Sequence, residues 1–368
     1  MLDRKEFLDT LETLAKIPAP SGMEDKRVEF CLEWFLKNNI KAYADEAKNV
    51  IVPFGNIDGD GITVFLGHTD VVFPDTEPLP YYDDGEKIHA PGIADNTVHA
   101  AQLMFVAREL ARDGITPKNG ILIVLNSCEE GLGNLKGIRQ IMKDFDGRIR
   151  CVISVDGGYN HIVDKVVGSE RWHVTVKTEG GHSFVAFGNS NAIEKLSNII
   201  RDLYAVEIPK KENTKTTFNV GTISGGTSVN TIAQDAEMLF EYRSDDSECL
   251  KKMRENFDAV INKHKSLGVE IETEVIGIRP CGEGYDEAEF ENLLTRLSKI
   301  CEDVSGIPCK RTSSSTDSNI PLSMGVLSTT IGGSLAHGAH TREEWVDKES
   351  IFTGYEIVKR SVYEYTEA

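Results

Sequence analysis

The feature that most limits how this chain can fold is a recurrence of short apolar runs that end in acidic or histidine residues. ITVFLG at 62–67 is followed by His68-Thr69-Asp70, ILIVLN at 121–126 by Glu129-Glu130, and CVISV at 151–155 by Asp156-Gly157-Gly158. Asp95 sits in GIADN, and His337-Gly338-Ala339-His340 follows the last such run, VLSTTIGG. Runs of this length alternate with amphipathic stretches, such as 97–112, and predict an α/β sheet. Open sheets of that kind gather ligand-binding residues at the carboxyl ends of their strands. Each cluster alone has a bland reading: HxD arises by chance, paired glutamates are solvated, and DGG makes a turn. Recurrence after successive strands is what singles them out.

The order of elements changes between about 165 and 277. A strand at RWHVTVKT, a helix at 191–205, strands at TTFNVGTI and AEMLFEYR, a helix at 247–265 and a strand at VEIETEVI form a β-α-β-β-α-β series. That series is the ferredoxin-like pattern. At 368 residues the chain exceeds what one core usually supports. The expected organisation is a discontinuous mixed-sheet α/β domain, 1–165 with 278–368, interrupted by an α+β domain at 166–277.

Seven scattered cysteines, an odd number and never in a CxxC pair, read as reduced thiols. The net charge of −19 disfavours nucleic acid and anionic membrane as partners. No apolar run approaches the roughly 18 residues of a membrane span. The charged, helix-patterned start, MLDRKEFLDTLETL, is not a signal peptide, and the expected location is cytoplasmic.

The ordered motifs HTD, GIADN, SCEEG, VDGG and GAHTREEW, with IPAPSG after the opening helix, resemble the di-zinc exopeptidase family. That family includes peptidase T, bacterial dipeptidases, aminoacylase, acetylornithine deacetylase and succinyl-diaminopimelate desuccinylase. The resemblance spans nearly the whole chain, and the inserted domain falls where the family carries its lid. SSSTDSNIPLSMGV, 313–326, is similar to a stretch of peptidase T-like members and favours a peptidase.

The resemblance implies two zinc ions per subunit, with cobalt or manganese as alternatives: His68 and Asp156 on one, Glu130 and His340 on the other, Asp95 bridging. It implies a metal-activated bridging water that attacks the terminal amide of a small peptide, with Glu129 as general base. Asp70 is expected to hold the second nitrogen of His68 and so fix its tautomer. In the lid, His182 of GGHS is expected to stabilise the oxyanion, and Asn230 and Arg243 to bind substrate. Because the lid histidine and asparagine reach the partner's site in dimeric relatives, a homodimer through the lid is expected. One departure stands out. Relatives commonly carry lysine and glycine at the second and third positions after the bridging aspartate, whereas this chain reads Asp95-Asn96-Thr97-Val98-His99. In the family the bond after that aspartate is often cis, so a cis Asp95-Asn96 bond is expected.

Competing readings are an N-acyl-amino-acid deacylase or desuccinylase with the same site, a catalytically silent metal-binding relative, and a cysteine hydrolase built on Cys128, which lacks a histidine partner. The sequence leaves the direction of cleavage open.

Overall fold

Every residue of the strand Ile62–His68 is buried, because both of its faces are covered. Val64 and Leu66 enter one apolar cluster with Leu122, Val124, Ile138 and Ile141, whereas Phe65 enters another with Phe7, Phe105 and Tyr355. Successive side chains leave opposite faces of a strand, so a strand buried on both sides reads as an unbroken apolar run. The structure is a computed structural model that describes residues 2–367. It divides into two units, Met1–Val166 with Gly282–Ala368, and Val167–Cys281.

The first unit is built on an eight-stranded mixed sheet. Its order is Tyr43–Ala44, Val50–Phe54, Ile121–Asn126, Ile62–His68, Ile149–Val155, Leu327–Ile331, His161–Val166 and Lys310–Ser314. Helices Arg4–Lys16, Val98–Arg112, Glu287–Ser305 and Lys348–Tyr363 cover one face, and Lys136–Asp144 the other. The Asp3 carboxylate caps the first helix by accepting from Lys5 N and Glu6 N. Val98–Arg112 is buried almost all round, including His99, Gln102 and Glu109, as suits a helix inside a core. Lys348–Tyr363 seats on the loop after Leu327–Ile331 at Gly354, where a Cβ would fall 1.6 Å from Gly333 O.

Two strands of this sheet, His161–Val166 and Lys310–Ser314, carry no apolar run in sequence. Lys310–Ser314 is the edge strand and is largely exposed, whereas His161–Val166, paired on both sides, buries Ile162, Val163 and Val166 but exposes more of its polar residues.

The second unit is ferredoxin-like. Its antiparallel sheet runs Thr216–Gly225, Asp235–Ser244, Gly168–Lys177, Glu270–Arg279. Burial alternates along Asp235–Ser244, as it must when one face is covered and the other is not. Met238, Phe240 and Tyr242 join Trp172, Leu196, Ile199 and Phe257 in a core beneath helices Ala192–Tyr204 and Ser247–Ser266. Among the described residues no helix is long and apolar enough to cross a membrane.

Candidate metal centre

Ile121–Asn126, Ile62–His68, Ile149–Val155 and Leu327–Ile331 are neighbours and all parallel, so their carboxyl ends share one edge of the sheet. His68 is the last residue of its strand, Asp156 follows Val155, and Glu129 and Glu130 lie just beyond Asn126. Asp95 enters from the turn Ile93–Thr97, and His340 from the loop after Leu327–Ile331. The turn requires Gly92, whose backbone is left-handed at φ +72° and whose Cβ would meet Val71 at 2.3 Å. The Asp95-Asn96 bond is cis, as the resemblance implies.

These residues converge. His68 Nε2 lies 3.0 Å from Asp95 Oδ1, and His340 Nε2 lies 3.1 Å from Asp95 Oδ2 and 3.2 Å from Glu130 Oε1. Ligand-capable atoms of His68, Asp95 and Asp156 fall within 4.8 Å of one another, as do those of Asp95, Glu130 and His340. Asp95 belongs to both groups. A third group, His68, Glu129 and Glu130, places Glu129 at the same cluster.

The electrostatics are those of crowded anions. Burial and then repulsion from Asp95 push the Asp156 carboxyl up to about 7. Burial also acts on Asp95, but the hydrogen bonds from His340 and His68 overcome it and hold its carboxylate low. His340 is raised to about 10 by its contacts with Asp95 and Glu130. Burial opposes the charge on His68, and Asp70 and Asp95 raise it well above the ordinary imidazole range. Glu130 Oε1, though buried and close to His340, makes no hydrogen bond. Such an acceptor is stabilised by a facing cation, a place that the charged His340 ring or a metal ion can take. Imidazole nitrogens and carboxylate oxygens are also the donor types that suit zinc and related divalent ions. The residues present therefore fit a divalent metal pair.

The supporting contacts differ in detail from the sequence expectation. The His68 Nδ1–H donates to the backbone carbonyl of Asp70 at 3.0 Å, while the Asp70 carboxylate is 3.5 Å away. That carboxylate instead accepts from Glu129 N at 2.9 Å, Glu130 N at 3.0 Å and Ser21 Oγ at 2.6 Å. Asp70 thus holds the Glu129-Glu130 backbone as well as standing beside His68.

Thr97, where relatives carry lysine, donates its hydroxyl to Gly92 O at 2.6 Å and closes the Asp95 turn. His99 is a fully buried helix residue whose Nε2 accepts from Gly333 N at 3.3 Å.

Sequence reasoning passed over Glu344. Its buried carboxylate accepts from Gly92 N, Ala94 N and Asp95 N at 2.8–3.0 Å. The available signal was its place four residues after His340 in GAHTREEW.

SSSTDSNIPLSMGV serves a structural part in the sheet. Its helix, Asn319–Ser323, spans five residues with no side-chain cap. Asp317 accepts from Asn126 Nδ2 at 2.8 Å, and Thr316 bonds Thr330, so the segment braces the sheet.

In the second unit, His182 and Asn230 are neighbours: Gly181–His182 pairs with Thr231–Ile232, and Ser183 N donates to Asn230 O at 2.9 Å. His182 is exposed, and its Nδ1 accepts from Phe184 N and Val185 N at 3.3 and 3.5 Å, which leaves the proton on Nε2. Arg243 lies at the far end of Asp235–Ser244 from the Asn230 loop, roughly 25 Å along the strand. It bonds the Glu241 carboxylate at 3.0 and 3.1 Å. The unit therefore does not bring Arg243 together with His182 and Asn230.

Comparison with known proteins places this arrangement. A Schizosaccharomyces pombe protein described as containing a peptidase M20 domain is 26% identical over 64% of this chain and 54% of its own length. A succinyl-diaminopimelate desuccinylase from Paraburkholderia xenovorans is 24% identical over 59% of this chain and 61% of its own length. The chain thus spans a little over half the length of these curated relatives. The crystal structure of aminopeptidase PepT from Bacillus cereus shares the fold over 100% of both chains, with a TM-score of 0.76 and 17% identity. The model of Peptidase family M20/M25/M40 matches residues 64–364, a span that takes in all five clustered ligand candidates and the inserted domain. With that match across most of its length, the chain belongs to Peptidase family M20/M25/M40.

Proposed function

We propose that the protein is a metal-dependent exopeptidase that hydrolyses a terminal amide bond of small peptides. The observation that carries this reading is the sharing of Asp95 between two three-residue ligand groups, His68-Asp95-Asp156 and Asp95-Glu130-His340, with Glu129 beside them. In this reading His68, Asp95, Asp156, Glu130 and His340 would hold two divalent ions, zinc by preference on donor chemistry. Bound there, such ions would supply Lewis acidity toward the scissile carbonyl and would lower the pKa of water toward neutrality.

The chain's own residues supply the rest. Glu129, buried and fixed through its backbone by Asp70, takes the proton of the attacking water and returns it to the leaving amine. His68 presents Nε2 to the cluster because its Nδ1–H is committed to the Asp70 carbonyl. His182, with its proton on Nε2, is a donor suited to a developing oxyanion. Arg243 shares Glu241 with Arg171, and this cationic strand end suits a substrate carboxylate. Because one lid does not unite Arg243 with His182 and Asn230, their joint action calls for a second subunit, and a homodimer through the lid is part of the proposal. Full activity in a demonstrated monomer would remove that part.

A deacylase reading has one specific support, the likeness to a protein named as a desuccinylase. The deciding experiment is a panel of dipeptides, tripeptides and N-acyl-amino acids presented to zinc-loaded protein, with products identified. Release of a terminal residue from short peptides is expected. Turnover of N-succinyl or N-acetyl amino acids alone would make it a deacylase, and no turnover with metal bound would make it a silent relative.

A further inference from the structure

Arg27, in helix Asp25–Lys37, is wholly buried, yet its hydrogen bonds go to neutral oxygens. Nε donates to Ile17 O at 2.9 Å, and Nη1 donates both to Thr69 O at 2.8 Å and to Thr97 Oγ1 at 3.1 Å. Buried arginines ordinarily pair with a carboxylate, since an interior cation is expensive. Here the two acceptors of Nη1 lie in two segments that are 28 residues apart in sequence (97 minus 69) and that both carry proposed ligands. Thr69 stands between His68 and Asp70, and Thr97 is two residues after Asp95.

We propose that Arg27 is a positioning residue for the metal centre, a clamp in which one guanidinium nitrogen ties the His68 segment to the Asp95 segment and so sets the separation of these two ligands. The proposal rests on the reading of the metal site given above. Its geometric basis is independent of any ion: His68 Nε2 and Asp95 Oδ1 are 3.0 Å apart, and Nη1 reaches the Thr69 carbonyl behind the one and the Thr97 hydroxyl behind the other. Thr97 contributes only as the receiving end, its own proton being directed at Gly92 O.

Charge favours the arrangement too. Burial pulls the guanidinium down to about 10, with Asp70 and Glu24 among the groups opposing that, so it stays charged at neutral pH. A cation there offsets Asp70, which holds the Glu129-Glu130 backbone. No other side chain type would serve as well, because only the planar fork aims donors at Ile17 and at both ligand segments together.

The test compares wild type, Arg27→Met and Arg27→Lys. It measures zinc affinity by competition with a chelating dye, the visible spectrum of the cobalt-loaded protein, and the thermal midpoint of the metal-free protein. Methionine keeps the bulk but removes clamp and charge; zinc affinity is expected to fall about 10- to 100-fold and the cobalt bands to shift. Lysine keeps the charge and is expected to recover part of that loss. A folded Arg27→Met protein with wild-type zinc affinity and cobalt spectrum would overturn the proposal, even if its thermal midpoint were lower. Should Arg27→Met fail to fold, Arg27→Lys decides: weakened affinity with shifted bands supports the clamp, and wild-type values in both overturn it. Wild-type protein that binds neither ion would overturn the metal reading itself, and the clamp with it.

Discussion

The Glu344 carboxylate accepts the backbone N–H of Asp95 at 3.0 Å through the same oxygen that accepts Ala94 N at 2.8 Å. Its other oxygen accepts Gly92 N at 2.9 Å, so one buried side chain secures the whole turn that carries Asp95. Hydrogen bonds to a charged group contribute about 1.5–3 kcal/mol each. Glu344→Gln replaces one accepting oxygen with an NH₂ group that confronts a backbone N–H. It is expected to destabilise the protein by at least about 1.5 kcal/mol. Urea unfolding of the metal-free variant checks this; an unchanged midpoint would show that the turn holds without Glu344.

Glu129→Gln separates base chemistry from metal binding. The backbone N–H to Asp70 is untouched by the change, so the loop keeps its hold. The expected result is wild-type metal content with kcat lowered at least about 100-fold, the usual worth of a positioned general base. Metal analysis of the same sample that is assayed reads both at once. If kcat and metal content both stay at wild-type levels, Glu129 is not the base.

Removal of the metal is expected to abolish hydrolysis and lower the thermal midpoint. Asp156 and Glu344, both raised to about 7 by burial, mark a site short of positive charge, which a divalent pair supplies. A ligand at 1,000 times its Kd stabilises the native state by about 4 kcal/mol. Calorimetry before and after dialysis against a chelator, followed by zinc addition, gives the shift and its reversal. Equal midpoints in the two forms would argue that no ion binds the native cluster.

His99, which is not a proposed ligand, gives the chain a pH dependence set mainly by burial, with smaller and opposed effects of Asp95 and His68. Burial lowers its pKa from 6.5 to about 3, and its Nε2 is committed as acceptor to Gly333 N. The unfolded chain takes up the proton first, near pH 6.5, while the native state refuses it until about 3. The contribution is therefore complete above pH 6.5 and drains as pH falls, by about 1 kcal/mol per unit. Urea midpoints at pH 7.5 and 5.5 should diverge more in wild type than in His99→Gln. Parallel shifts in the two proteins would refute this account.

Much of the site was legible before any coordinates. ITVFLG and ILIVLN are buried on both faces, and such strands write themselves into the sequence as unbroken apolar runs. The ligand candidates stand directly after those runs because strand ends are where a parallel sheet exposes side chains to a common crevice. The lid series was legible for a similar reason: alternation along AEMLFEYR records one covered face. By contrast, Lys310–Ser314 is the edge strand and His161–Val166 the one next to it, and their polar residues break the apolar runs by which the inner strands are read.

The sequence by itself marked out the candidate ligands, through apolar runs and a family resemblance, and the edge of the sheet at which they emerge, since strand period and burial are local properties of the chain. Only the tertiary structure decided what holds those residues in place. That Asp70 spends its carboxylate on the Glu129-Glu130 backbone, that Glu344 closes around the Asp95 turn, and that Arg27 joins Thr69 to Thr97 are contacts between segments distant in sequence. Their acceptors and donors are largely backbone atoms. Every residue carries those same atoms, so no residue type announces the contact until the fold brings the segments together.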